Sequence, residues 1–383
     1  MNHFLAAREV GLDSPAVLRS AVVTRRTFSV DLAASKEVVR IHRGPVSSLA
    51  IEKIDERYIL SGGADSSIHI YDLWGEKTEI KTKIRPVASV SRRFGHKFGI
   101  SGVSWYPFDT GMFISSSFDN TIKIWDTNSL QDACLFDLEA KVYSHAISPI
   151  ASHCLVACAS ADPRIRLCDL RTGAFTHSLP GHRGTVMAVQ WSPRYEHLLA
   201  TGGSDHTLRL WDIRRSASCL VALDQHNNYQ DPTSPNNLAH NGIVNGLAFS
   251  DDGLLLISTG HDERIRLWDT MTAQNTLINY GQMLRNKYKN NLTPVFASSI
   301  CSPPIFFHPS DDNQVLLFGV FDGKLHKRLQ GSYERIACIA WRERAEELYS
   351  GSIDHEILVW SPSEDELTET KPLAEQDTWS DDD

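Results

Sequence analysis

An aspartate followed six positions later by a ring side chain recurs along this chain, in Asp65 and Tyr71, Asp119 and Trp125, Asp205 and Trp211, Asp262 and Trp268, and Asp354 and Trp360. Asp162 keeps the step but meets Cys168. A small polar residue or thiol stands four places before each aspartate: Ser61, Ser115, Cys158, Thr201, Ser258 and Ser350. His42, His96 and His182 lie 23 residues upstream of their aspartates, and His240 lies 22 residues upstream of Asp262. The intervals between aspartates are 54, 43, 43, 57 and 92 residues. The last is long enough for two units, and Asp312 with Phe318 repeats the step inside it. Within a unit, short alternating runs separated by turn residues read as strands of one meander. Such a meander cannot bury both faces alone, so the units must stack. Seven units at this period predict an all-β fold, a seven-bladed WD40 β-propeller.

The repeat makes one closed domain of a length that would otherwise allow two or three. No run approaches the 18 uncharged apolar residues that a membrane helix requires. The seven cysteines are scattered without a CxxC pair, and Cys154 and Cys158 read as reduced thiols on one strand face, which suits an intracellular, reducing compartment. The net charge of −9 is carried almost wholly by the tail from Ser361 to Asp383, with nine acidic residues and one lysine. The remainder is near neutral and offers no electrostatic footprint for a phosphate backbone, so strong direct DNA binding is not expected.

Three regions follow: residues 1–24 as a helix-loop-helix arm, 25–362 as the propeller, and 363–383 as an acidic disordered tail. In the arm, Gly11 is a helix stop and Ser14-Pro15 opens a second helix. Its apolar face, Phe4, Leu5, Leu12, Val17, Leu18 and Ala21, must be buried against the protein's own blades or in a partner's groove. Its arginines also leave a mitochondrial presequence open. Thr27–Leu32 alternates as a strand that completes the last blade. The spacers 224–240 and 277–291 are polar and read as surface loops.

The co-recurrence of His, Ser/Thr and Asp superficially resembles a hydrolytic triad. One nucleophile is not needed several times over, so a structural role is expected. The sets His96, Ser115, Asp119, Trp125 and His182, Thr201, Asp205, Trp211 should be buried hydrogen-bonded tetrads. The units around Asp162 and Asp312, without the tryptophan, should lean on plain packing. His177 and His182 have no third ligand nearby, and the Gly-Gly pairs open no helix, so neither a metal, a cofactor, a phosphate loop nor a small-molecule substrate is expected. The chain reads as a non-catalytic interaction platform. The residues just before the turn aspartates (Ala64, Phe118, Ala161, Ser204, His261, Asp311 and Ile353) should be exposed. Phe118, His261 and Ile353 are candidate partner contacts.

The arm FLAAREVGLDSP, the segment YPFDTGMFISSSFDNTIKIWDTNSLQ (106–131) and WSPRYEHLLATGGSDHTLRLWDIRRSASCLVALDQHN (191–227) together resemble the Cockayne syndrome group A family of WD-repeat proteins. The resemblance runs from Met1 to about Pro362 and is weakest over 277–331. It implies a DNA excision repair protein, the substrate receptor of a cullin-4 RING ubiquitin ligase in transcription-coupled repair, located in the nucleus. It places Phe4, Leu5, Arg8 and Leu12, with Val17 and Leu18, in the groove of the damaged-DNA-binding adaptor subunit. The WDxR box of such receptors stands here as Trp211, Asp212, Ile213 and Arg214, with a weaker copy ending in Arg171. Arginine suits that role because its planar fork can bond a carboxylate or carbonyls bidentately. The other implied partners are a Cockayne syndrome group B type repair ATPase and stalled RNA polymerase II, expected on the face of the aspartate turns.

Overall fold

The computed structural model describes residues 14–77, 81–91, 93–150, 152–215, 219–228 and 237–363. The expected first arm helix with Phe4, Leu5, Arg8 and Leu12, and the acidic tail beyond Ser363, lie outside the described residues.

Seven four-stranded antiparallel sheets are arrayed as blades. In blade 4 the strands run, from the axis outward, Val186–Trp191, Leu198–Gly203, Leu208–Asp212 and Cys219–Ala222. The second strand of each blade is packed on both faces, which is why it reads as near-continuous apolar or small residues, whereas third strands such as Thr121–Asp126 and Ile265–Asp269 keep a half-buried Lys or Arg between apolar residues. The outermost strands alternate or stay polar: Asp132–Asp137 of blade 2 buries only Phe136 fully. Seven apolar clusters lie between neighbouring blades, so that each blade is one half of two cores. Ala200, Leu208 and Leu210 of blade 4, for example, meet Val244, Leu247 and Trp268 of blade 5. The sheets approach closely enough that only glycine fits at 202, where a Cβ would stand 2.6 Å from Val244 Cγ1.

Pro15–Ser29 forms one helix, α1, and only Val30–Leu32 is strand. The expectation of a strand from Thr27 is therefore corrected. Thr27 Oγ1 donates back to the Val23 carbonyl inside the helix and is fully buried, so tertiary packing outweighs the alternation of FSVDL. Val30–Leu32 pairs antiparallel with Pro362–Trp360, giving blade 7 its outer strand from the start of the chain and closing the ring. Blade 1 carries a small accessory sheet in which Lys36–Val38 runs parallel to Thr82–Ile84.

Residues 277–291 also depart from expectation. They form a packed strap rather than a polar surface loop, with Tyr280, Leu284 and Asn286 buried. Tyr280 donates to the Val320 carbonyl at 2.6 Å, while Asn286 and Asn245 exchange side-chain amide hydrogen bonds at 2.7 and 2.9 Å. The strap supplies what the two-residue inner strand Val295–Phe296 of blade 6 lacks. No described helix is long and apolar enough to cross a membrane.

Candidate functional site

Because each blade is a meander, its turns fall at two ends of the propeller. The turns between second and third strands lie at one end, here called the Asp-turn end, with the segments leading into each blade. The turns between first and second and between third and fourth strands lie at the other, the arm end.

At the Asp-turn end the aspartate turns share one local geometry. The residue after the aspartate is left-handed in six blades: Ser66, Asn120, His206, Glu263, Asn313 and His355 have φ between 56° and 73°. Each of these aspartates except Asp312 accepts the amide of the residue two places on, at 3.1–3.3 Å for Ser67, Thr121, Thr207, Arg264 and Glu356. Blade 3 has Pro163 at the left-handed position, which fixes φ near −65° and forces a different turn.

Beneath these turns the recurring polar residues are bonded to one another. His182 joins Asp205 at 3.0 Å through Nδ1 and Thr201 Oγ1 at 2.7 Å through Nε2, and the Trp211 indole donates to the same Thr201 oxygen at 2.7 Å. His96, Asp119, Ser115 and Trp125 repeat this at 2.9, 2.7 and 2.7 Å. His240, Asp262, Ser258 and Trp268 do so at 2.9, 2.7 and 2.8 Å. In blade 1, His42 joins Ser61 at 2.7 Å and Asp65 at 3.5 Å. Burial alone would raise each carboxyl. The His ring, the hydroxyls and the turn amides outweigh it and hold Asp65, Asp119, Asp205 and Asp262 well below the usual carboxylate range. Every atom a hydrolase would need free is committed, so these sets are struts.

Sequence spacing missed two members. A hydroxyl two places after the aspartate (Ser67, Thr121 or Thr207) donates to the carboxylate at 2.5–2.9 Å and also reaches the histidine. The signal was present as Asp-x-Ser/Thr. In blade 5 that hydroxyl is replaced by Arg266, whose guanidinium bonds Asp262 at 2.8 Å and Gln225 at 2.7 Å.

Blades 3 and 6 depart as their residues dictate. Cys158 and Cys168 place their sulfurs 3.3 Å apart in a fully buried thiol pair, whereas Cys154, expected on the same strand face, precedes the strand Leu155–Ser160 and is half-buried. Asp312 sits at the turn position and Phe318 in the third strand, but the preceding-segment amides of Lys287 and Tyr288 go to Asp311 instead, at 2.7 and 3.3 Å. Phe318 stacks on Phe306 with centroids 5.5 Å apart, which is the plain packing that replaces a tetrad.

The residues before the aspartates are not uniformly exposed, as expected from sequence. Ala64 and Phe118 are, whereas Ala161, Ser204, His261, Asp311 and Ile353 are half-buried. Each donates its backbone amide to the segment entering its own blade, as Phe118 does to Gly99 at 3.1 Å, so the turns are tethered alike whether the side chain is exposed or not. Phe118 packs edge-on against Tyr143 of blade 3, with centroids 6.0 Å apart. Burial lowers the His261 ring.

The other candidates gather at the arm end. The C-terminal half of α1 is seated between blades 6 and 7: Ser20 donates to the Ile300 carbonyl at 2.8 Å, Thr24 Oγ1 accepts from the Ser302 amide at 3.0 Å, and Arg26 pairs with Glu346. The first turns project away from the blades, leaving Val17 48% and Val22 43% exposed, with Leu18 half-buried. Trp211 is fully buried in its tetrad, and Asp212 is buried beside it. Arg214 forks onto Asp212 at 3.0 and 2.7 Å and holds that carboxyl below its usual range, yet its side chain stays 66% exposed. Arg171, in the corresponding turn of blade 3, donates its backbone amide to Asp169 at 2.9 Å. The propeller thus separates its candidates, with Arg171, Arg214, Val17 and Leu18 at one end and Phe118, His261 and Ile353 at the other.

Comparison with known proteins agrees with this geometry. The WD domain, G-beta repeat model matches residues 35–72, 88–126, 173–212 and 234–269, which end at the third strands of the four blades that contain the histidine. WD repeat-containing protein ATCSA-1 of Arabidopsis thaliana is 34% identical, over 94% of this chain and 95% of its own length. Radiation-sensitive protein 28 of Saccharomyces cerevisiae is 27% identical over 54% of this chain and 46% of its own. A guanine nucleotide-binding protein subunit beta of Oryza sativa subsp. indica is 28% identical over 63% and 61%. The chain is a WD40 repeat protein, and it belongs to the family of the WD repeat-containing protein ATCSA-1.

Proposed function

We propose that this protein is the substrate-recognition subunit of a cullin-4 RING ubiquitin ligase in transcription-coupled nucleotide excision repair. It docks on the damaged-DNA-binding adaptor through its arm and acts in the nucleus. The observation that carries the reading is α1, which is half seated and half free. Ring closure needs only Val30–Leu32, and the helix that precedes it leaves Val17 and Val22 exposed, apolar surface on which a partner could dock. Likeness to ATCSA-1 along nearly the whole chain supports the same reading. The exposed Arg214 fork, at the same end as α1, is placed to bond adaptor carbonyls or carboxylates with its free edge. The opposite end is left for a Cockayne syndrome group B type ATPase and stalled polymerase.

Deleting residues 1–24 would cut into the seated half of the helix, since Val23 and Thr24 are buried. Point changes separate docking from seating. The double variant Val17→Asp/Val22→Asp should lose the adaptor in a pull-down from nuclear extract. Its Tm should stay within about 2 °C of wild type, because both positions face water. Undiminished adaptor recovery would refute the arm as the docking element and favour a WD40 scaffold without ligase association.

A further inference from the structure

We infer that the Asp-turn end binds an acidic peptide segment carrying an aromatic or apolar anchor, on a patch formed by Lys97, Phe98, Phe118, Lys141, Tyr143 and Lys289. The inference rests on reading this end as the partner face. Phe98 is 63% and Phe118 38% exposed, and Phe118 leans on Tyr143. The Lys289 side chain, carried by the strap of blade 6, reaches toward blade 3 and places its Nζ 5.6 Å from the centre of the Tyr143 ring. The buried Asn245–Asn286 amide pair fixes the strap that carries it. Three blades therefore build one surface.

The lysines are unspent. Lys97, Lys141 and Lys289 are exposed, and among the described residues none has a carboxylate within ion-pair distance. By contrast, arm-end cations such as Arg26, Arg57 and Arg214 are each paired with an acid. The Asp119 carboxylate beneath the patch has its oxygens taken up by His96, Thr121 and the Lys97 amide, so it forms no ion pair with the lysines. Cations interleaved with exposed rings suit a ligand that is both anionic and apolar. Nucleic acid fits less well. Backbone binding gains from a track of many phosphate contacts, and three lysines around a cluster of rings do not make such a track.

The probe is a fluorescein-labelled peptide of Asp and Glu with interspersed Trp and Phe, read by anisotropy with the full chain. Its counterpart with Asn and Gln at every acid, and a single-stranded oligonucleotide of equal charge, serve as comparisons. The acidic peptide should bind, weakening with added salt. Lys97→Glu/Lys289→Glu should weaken it by at least about tenfold, and Phe118→Ala by a similar factor. Equal or tighter binding of the oligonucleotide, or of the uncharged peptide, would overturn the inference. So would variants that bind like wild type. Adaptor recovery by the lysine variant should be unchanged, since these residues lie at the opposite end from α1, so failure here is separable from failure of the ligase reading.

Discussion

Alanine at position 205 should lower the unfolding free energy by about 3–5 kcal/mol, a loss of several degrees in Tm. Asp205 accepts from His182, Thr207 and the Arg183 amide inside a buried network. Removing it leaves those donors without an acceptor at a site where water cannot easily replace it, and the unmet groups set the size of the loss. Asp312→Ala should cost less than about 0.5 kcal/mol. Its side chain is 47% exposed, and its ion partner, Arg285, is 3.9 Å away. Asp311→Ala falls between them at about 1–2 kcal/mol, because it strips the acceptor from two amides. Urea midpoints of the three variants test the ranking. An Asp312 variant as unstable as the Asp205 one would show that blade 6 is held as the other blades are, contrary to the geometry.

The second large effect is acid lability well above the carboxylate range. His308 is fully buried, and burial pushes its ring down to about 4; His69 and His145 are driven to about 4 by the same cause. Unfolded, each returns to about 6.5. Between these values the unfolded chain binds more protons than the native one, so stability is complete above about pH 6.5 and is lost as pH falls below it. For His308 alone, the loss between pH 7 and pH 5 is on the order of 2 kcal/mol. The turn aspartates act in the same direction but at lower pH: their depressed values keep their contribution intact until pH falls below the unfolded carboxylate value near 3.9. Losses above pH 5 therefore belong to histidine. Denaturant midpoints at pH 7 and pH 5 should differ markedly for wild type and less for His308→Leu. Equal slopes for the two proteins would remove His308 as a source.

The blade count was legible because one polar network was reused, and a hydrogen-bonded set at fixed spacing leaves its residues in the chain. The Asp205 unit could be read almost atom by atom. Blade 6 was legible only in outline. Its stability comes from stacked rings such as Phe306 and Phe318 and from a strap anchored by Asn245 and Asn286, and such contacts join residues at no repeated distance. The choice of Asp311 over Asp312 depends on where the Lys287 and Tyr288 amides arrive, which local sequence does not specify. The length of α1 was missed for a similar reason: Thr27 is held helical by a pocket that includes Cys301, far along the chain. At the functional ends, residue type was readable but exposure was not. His261 and Ile353 carry apolar or aromatic surface, yet they are half-buried where Phe118, tethered by the same backbone bond, is exposed. Lys289 drew no notice in sequence, because its neighbour Tyr143 belongs to a blade across the ring.

Pairing Val30–Leu32 with the end of the last strand has a consequence for synthesis. Val30–Leu32 has no mate until some 330 further residues, up to Pro362, have been translated. Through that interval the outer edge of blade 7 does not exist, and six blades stand as an open arc with an unpaired inner flank at either end. A nascent chain of this kind is exposed to edge pairing with its neighbours for tens of seconds at ordinary elongation rates. The same strand directly continues α1. A message truncated shortly before Trp360 would thus leave Val30–Leu32 without its mate, a loss felt more than 300 residues upstream of the missing codons.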